Sequence, residues 1–246
     1  VNSITLSDIL SYMNENYTPN NTVIAAAGNI SHERIVDKLI KLFGSWTGNL
    51  VETPYLQPDH NSETVLIKKD TEQVQICLGV PGLPRDNDDT YTLYVLNNIL
   101  GGGLSSRLFQ EIRENQGLAY SIYSYHSSYN DGGLFTIYAG TSPEKFEEVV
   151  ELVAKELYKC NKFGIGQEEL ERTKTQIKGN LLLSMESISN RMSRLGRTEL
   201  CYGRIIPAEE IVEKTSKVTV SQAMDLVENL FRKDKFTLTA LGPITK

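Results

Sequence analysis

The two ends of this chain carry the same pattern. A shift of 214 positions lays TLSDILSYMNENYTPNNTVIAAAGNIS, starting at Thr5, on TVSQAMDLVENLFRKDKFTLTALGPIT, starting at Thr219, without a gap. Thr5, Ser7, Ala26, Gly28 and Ile30 are identical to Thr219, Ser221, Ala240, Gly242 and Ile244, and the aromatic Tyr17 meets Phe231. Those identities are few, but both copies run helix, aromatic, polar turn, apolar strand, Gly-x-Ile, and self-similarity at a fixed period is the mark of a repeated structural unit. The chain is therefore expected to hold one near-complete copy of a duplicated half, preceded by the tail of a first copy.

Between the ends, periodicity sets out the elements. Leu6, Ile9, Leu10 and Met13 share one face of a helix over 5–16, and 22–27 follows as an apolar strand. Ser31 is placed to cap a helix through Phe43, and the Gly-, Pro- and Asn-rich stretch from Gly44 reads as a linker up to Ser62. Strands are expected over 64–69 and 73–80, and a helix over 88–100. Two further β-runs, 119–129 and 134–139, are joined by Asn-Asp-Gly-Gly at 130–133, a hairpin signal. Helical patterns follow Pro143 through Asn161 and recur at 167–185, 187–202 and 208–215; a last helix, 220–231, leads into a strand at 236–241. Hairpin-paired strands with helices in blocks argue an α+β fold, mainly an antiparallel sheet with helices packed on one face.

Composition removes several classes of function. The net charge is -6, whereas a nucleic-acid surface needs a concentrated basic patch. Apolar runs such as VIAAA at 23–27 are far shorter than a bilayer span and no leader pattern opens the chain, so no membrane role is expected. The chain does not begin with Met, which leaves room for a longer parent. Cys77, Cys160 and Cys201 form no C-x-x-C pair and are expected as reduced, buried thiols in a cytoplasmic protein, neither a disulfide frame nor a zinc site. His32, His60 and His126 cannot be written into H-E-x-x-H or H-x-x-E-H. His32 reads as a solvated first-turn residue and His126 as a residue on the polar face of a strand. GSWTG at 44–48 has its serine one place too early for a nucleophile elbow.

The densest stretch is GGGLSSRLFQEIRENQGLAYSIYSY, Gly101–Tyr125. Its glycines follow a helix instead of a strand and lack a Gly-Lys-Ser/Thr sequence, so a phosphate loop is not supported. Gly101, Gly102 and Gly103 read as a structural turn in which the backbone takes conformations closed to residues with a β-carbon. Ser105 is the expected N-cap of the next helix, with Leu104 and Phe109 as a hydrophobic staple and Leu104, Leu108 and Ile112 as its stripe. Arg113 falls on the flank of that stripe beside Phe109, and Tyr120 starts the next strand. On the residues alone, Arg113 pairs with Glu111 or Glu114 and Tyr120 packs; convergence of the two on one cleft is the sharper reading.

The run GGGLSSRLFQEIRENQGLAYSIYS, with NYTPNNTVIAAAGNI upstream and PEKFEEVVELVAKEL downstream, resembles the pitrilysin or insulinase family of zinc metallopeptidases, especially its short bacterial, mitochondrial-processing-peptidase-like branch. The resemblance covers essentially the whole chain. It implies two homologous α+β halves closed like a clam shell, the first carrying H-x-x-E-H and a further glutamate for zinc. The second half has no metal site and supplies an arginine and a tyrosine, spaced as Arg113 and Tyr120 are, that hydrogen-bond substrate near the scissile carbonyl. On that resemblance residues 1–47 are the remnant of the zinc-bearing half, 48–62 a linker and 63–246 the substrate-binding half. The parent is expected to be a zinc metalloendopeptidase acting on unfolded peptides. In this chain no catalytic residue and no metal ligand is expected. The implied partners are the peptide, the N-terminal half and a homo- or heterodimer mate; the alternative is a non-catalytic partner subunit.

Overall fold

A computed structural model of the chain describes residues 3–48, 56 and 58–244. The chain divides into two compact units, Val1–Pro54 with Gly179–Glu210, and Tyr55–Lys178 with Ile211–Lys246.

The second unit holds the sheet. Its strands are β1 (Thr64–Lys68), β2 (Val74–Gly82), β3 (Ser121–Ser128), β4 (Gly133–Thr141) and β5 (Thr237–Gly242), in the order β1-β5-β2-β4-β3. The β2–β4, β3–β4 and β2–β5 pairs are antiparallel, and β1 lies parallel to β5. Period-two alternation sends Val74, Ile76 and Val80 of β2, Phe135, Ile137 and Ala139 of β4, and Ile122 of β3 into the core. Three helices pack against the sheet: α3 (Thr90–Gly101) on β3, α4 (Phe146–Phe163) on β4 and α8 (Val220–Leu230) on β2. Each follows its sequence. In α4, Val149, Val153, Leu157 and Cys160 recur at helical spacing and are all buried. In α8, Thr219 and Gln222 form a reciprocal capping box and Ala223, Leu226, Val227 and Leu230 are buried. Each fully buried leucine contributes about 1.5–3 kcal/mol relative to exposure. The opposite sheet face presents Tyr123, Tyr125 and Tyr138, and the observed architecture is the expected α+β layer. One reading of that sheet needs changing: His126 has the parity of Ile122 and Ser124, and it lies partly buried with its ring 6.2 Å from Tyr94 instead of on the open polar face.

The first unit contains α1 (Leu6–Asn16), α2 (His32–Phe43) and α6 (Ile188–Tyr202). Thr5 and Asp8 cap α1 reciprocally, Ser31 caps α2 and Ser187 caps α6. Neither α1 nor α2 buries a residue. A groove of about 500 Å³ runs between residues 23–39 and α6, lined by Val23, Ala26, Ile35, Leu39, Leu195 and Ile205. Two further helices, α5 (Gln167–Ser184) and α7 (Ala208–Ser216), match the sequence reading within two residues.

Elsewhere the structure departs from expectation. Residues 22–27 form no strand, because no neighbouring strand in the described residues supplies the hydrogen bonds that a strand requires. Cys160 is buried, whereas Cys77 and Cys201 are only partly so, since β2 turns Cys77 to the open face. Much of the expected linker, at 49–55 and 57, lies outside the described residues. Among the described residues no helix is long and apolar enough to cross a membrane.

Candidate substrate-contact site

The triple glycine ends α3 where that helix meets β3. A β-carbon on Gly101 would stand 2.3 Å from the Ser124 amide nitrogen and 2.6 Å from its hydroxyl oxygen, and one on Gly102 would stand 2.5 Å from the Asn98 α-carbon. Gly101 and Gly102 are required by close approach to Ser124 and Asn98 and not by left-handed geometry, which corrects the sequence expectation: none of the three glycines has a positive φ. The Ser124 hydroxyl donates to Asn97 Oδ1 at 2.8 Å and completes the seal.

After the turn the chain enters a short α-helical turn at 107–108 and then a π-helix, Phe109–Asn115. The predicted cap and staple are not formed. Leu104 is 72% exposed, and the Ser105 hydroxyl reaches Gln176 Oε1 at 3.4 Å instead of a helix amide. Leu108 and Ile112 alone carry the buried stripe. Single-turn π geometry is rare and recurs at functional sites because it redirects side chains. Here it sets the exposed Arg113 guanidinium 4.9 Å from the centroid of the Phe109 ring, within cation–π range. The ion pairs with Glu111 or Glu114 do not form, and Arg113 has no carboxylate partner among the described residues.

Tyr120 is fastened by its backbone: its N–H donates to the Gly140 carbonyl at 2.9 Å, which extends the β3–β4 ladder by one residue. Its side chain is 61% exposed. A groove of about 480 Å³ lies beside it, lined by Gly102, Gly103, Phe109, Arg113, Ser121 and Tyr123 among others. Arg113 and the glycine turn thus share a groove; Tyr120 borders it in sequence, next to Ser121, and is not among its lining residues. Beyond the groove Tyr123 packs on Tyr138 with centroids 4.8 Å apart, and the Tyr138 hydroxyl donates to Gln75. Burial and the neighbouring Tyr138 and Tyr125 push the Tyr123 phenol up, so it stays a neutral donor at physiological pH.

Sequence reasoning missed Arg107. Its Nε donates to Glu169 Oε1 at 2.8 Å, one Nη2 bond reaches Glu169 Oε2 at 2.6 Å, and Nη2 also meets the Gly164 carbonyl at 2.9 Å. No local signal could reveal partners so far away along the chain. As for metal, the donor set does not fit zinc: no group of three or more His, Cys, Asp or Glu side chains that could hold an ion exists among the described residues.

Comparison with known proteins places this geometry. Residues 3–177 match the family described as the peptidase M16 inactive domain. The chain belongs to the M16 peptidase family. The match is to the family's C-terminal, inactive domain, in agreement with the pitrilysin and insulinase resemblance. A Bacillus subtilis protein named uncharacterized zinc protease YmxG is 43% identical over 94% of this chain, which covers 56% of that relative. An uncharacterized zinc protease of Streptomyces coelicolor is 34% identical over 99% of the chain and 55% of its own length. The crystal structure of a peptidase M16 inactive domain from Pseudomonas fluorescens superposes with a TM-score of 0.86 at 25% identity, over 99% of this chain and 58% of that one. The chain therefore spans little more than half the length of these relatives.

Proposed function

We propose that this M16 domain is the substrate-binding part of a zinc-dependent metalloendopeptidase, and that Arg113 and Tyr120 donate hydrogen bonds to an unfolded peptide near its scissile carbonyl. The observation that carries the reading is Arg113 itself. It is a permanent cation, exposed, without a carboxylate partner among the described residues, and held by a π-helix against Phe109 at the edge of a groove. A guanidinium offers a fixed fork of donors, and a phenol can donate to a developing oxyanion. Tyr120 keeps an exposed side chain while its backbone N–H, just before β3, is bonded to the Gly140 carbonyl. Zinc would be held by residues outside this chain, in an N-terminal half that precedes residue 1 in the parent; 1–47 would be the tail of that half, 48–62 the linker and 63–246 the copy that binds substrate. The names of the Bacillus and Streptomyces relatives favour a zinc peptidase over a partner subunit without catalytic function.

The test uses the full-length protein with a set of unfolded peptides. Tyr120→Phe removes one hydroxyl and leaves the ring. A hydrogen bond to a developing charge is worth about 1.5–3 kcal/mol, so kcat/KM is expected to fall roughly 10- to 150-fold with little change in thermal stability. Arg113→Ala is expected to cost at least as much, and the double variant less than the two single costs added together, because both residues act on one substrate group. Zinc content stays unchanged in each. Full kcat/KM in Tyr120→Phe on several peptides, or loss of zinc in either variant, would rule out the clamp.

A further inference from the structure

We propose that Arg107 is the positioning residue of this site: through its fork to Glu169 and its bond to Gly164 it fixes the rotation of the helix that presents Arg113. The inference rests on the clamp reading above and adds a second arginine to it. Leu108 and Ile112 bury one side of the 107–115 segment completely. Apolar contacts are non-directional: they determine how deeply the segment sits and leave its rotation about its own axis weakly defined. The π-helix packs against β3 and α4, and non-directional packing of that kind does not by itself set the angle. Arg107 supplies three directed bonds two residues before the π-helix begins. Two go to both carboxylate oxygens of Glu169 in the first turn of α5, at 2.8 and 2.6 Å. The third goes to the Gly164 carbonyl at 2.9 Å, at the residue that closes α4 with φ +79°. The two side chains are only 21% and 20% exposed, so the pair is shielded from water and from salt, unlike a surface ion pair. A planar fork transmits orientation, which a lysine at the same place would not.

The experiment measures Arg107→Lys and Glu169→Gln in the full-length protein, each in the parent background and together with Arg113→Ala. Arg107→Lys keeps the positive charge and Glu169→Gln keeps the side-chain shape, both break the paired fork, and melting curves identify any variant that fails to fold. In the parent background kcat/KM is expected to fall roughly 10-fold, since displacements of an ångström at a reacting centre cost up to about a hundredfold. In the Arg113→Ala background the same substitutions should cost less than about twofold, because Arg107 then has nothing left to position. Hydrogen exchange should accelerate at residues 108–118 in either variant while the β3–β4 amides keep their protection. An equal cost with and without Arg113 would make Arg107 a general structural residue, and unaltered exchange at 108–118 would remove the positioning role altogether. Arg113→Ala that costs nothing would sink the clamp and this inference with it; Arg113→Ala that is costly while Arg107→Lys is silent would sink this inference alone.

Discussion

Residues 5–28 and 219–242 are two copies of one pattern in two environments. Each begins with a threonine that accepts from the amide three residues on, in a reciprocal capping box. Each continues as an 11-residue helix, α1 or α8, and then a 3-10 turn, Pro19–Asn21 or Lys233–Lys235, at the same 214-residue offset. There the likeness stops. The later copy buries Ala223, Leu226, Val227 and Leu230 and passes into β5, whereas α1 buries nothing and 22–27 forms no strand. Helix and turn depend on hydrogen bonds within a few residues, so both copies keep them; a strand depends on neighbours, and only β5 has them, in β1 and β2.

The comparison can be broken by hydrogen exchange on the 246-residue chain. Amides of 237–242 should exchange on the order of a thousandfold more slowly than those of 22–27, which open without disturbing the core. An 11-residue helix with no buried face is marginal in water, so α1 should exchange nearly as fast as 22–27. Equal protection of the two copies would mean that the early one has found a partner within this chain. Truncation comes next in size. Leu226→Ala, at a position 4% exposed, should cost about 2–5 kcal/mol of unfolding free energy, while Tyr12→Ala at the equivalent, 61% exposed position should stay within about 0.5 kcal/mol. A large effect at Tyr12 in chemical denaturation would show α1 docked on a core.

The smallest effect separates the two caps by pH. Backbone and side-chain hydrogen bonds from Thr5 hold the Asp8 carboxyl below the ordinary aspartate range. A depressed carboxylate stabilises above its unfolded pKa, so the α1 cap should be intact at neutral pH and lost as pH falls below about 4. Gln222 occupies the same place in α8 and does not titrate. The Thr5 amide resonance should move through that range while the Thr219 amide stays put; Asp8→Asn should abolish the difference.

The comparison also explains what could be read in advance. The Ser31 cap, the helices after Pro143, at 187–202 and at 220–231, and the 130–133 hairpin turn are encoded within a few residues, and these elements were legible. Arg113 and Tyr120 were singled out by spacing, but the role proposed for them comes only from family resemblance. The π-helix was not legible, because Leu104 and Ser105 offered an ordinary cap and staple that the glycine turn does not allow to form. Arg107 was illegible for the opposite reason: its partners Gly164 and Glu169 are brought to it by the packing of α4 and α5, not by sequence proximity.

The strand order carries a consequence for assembly in time. β5 occupies the second position of the sheet, and β1 has no other neighbour there: Thr64 pairs with Leu238 and Lys68 with Gly242. A chain emerging from the ribosome can close the β2–β4–β3 ladder early, yet it must wait for Thr237–Gly242 before β1 has anything to join. Until then β2 presents its free backbone groups along Gln75–Gly79 as an open template for any passing strand, the feature through which sheets aggregate. Contacts so distant along the chain are also the slow ones to form. The β5 insertion is therefore both the late step of folding and the step that ends the vulnerability of the β2 edge.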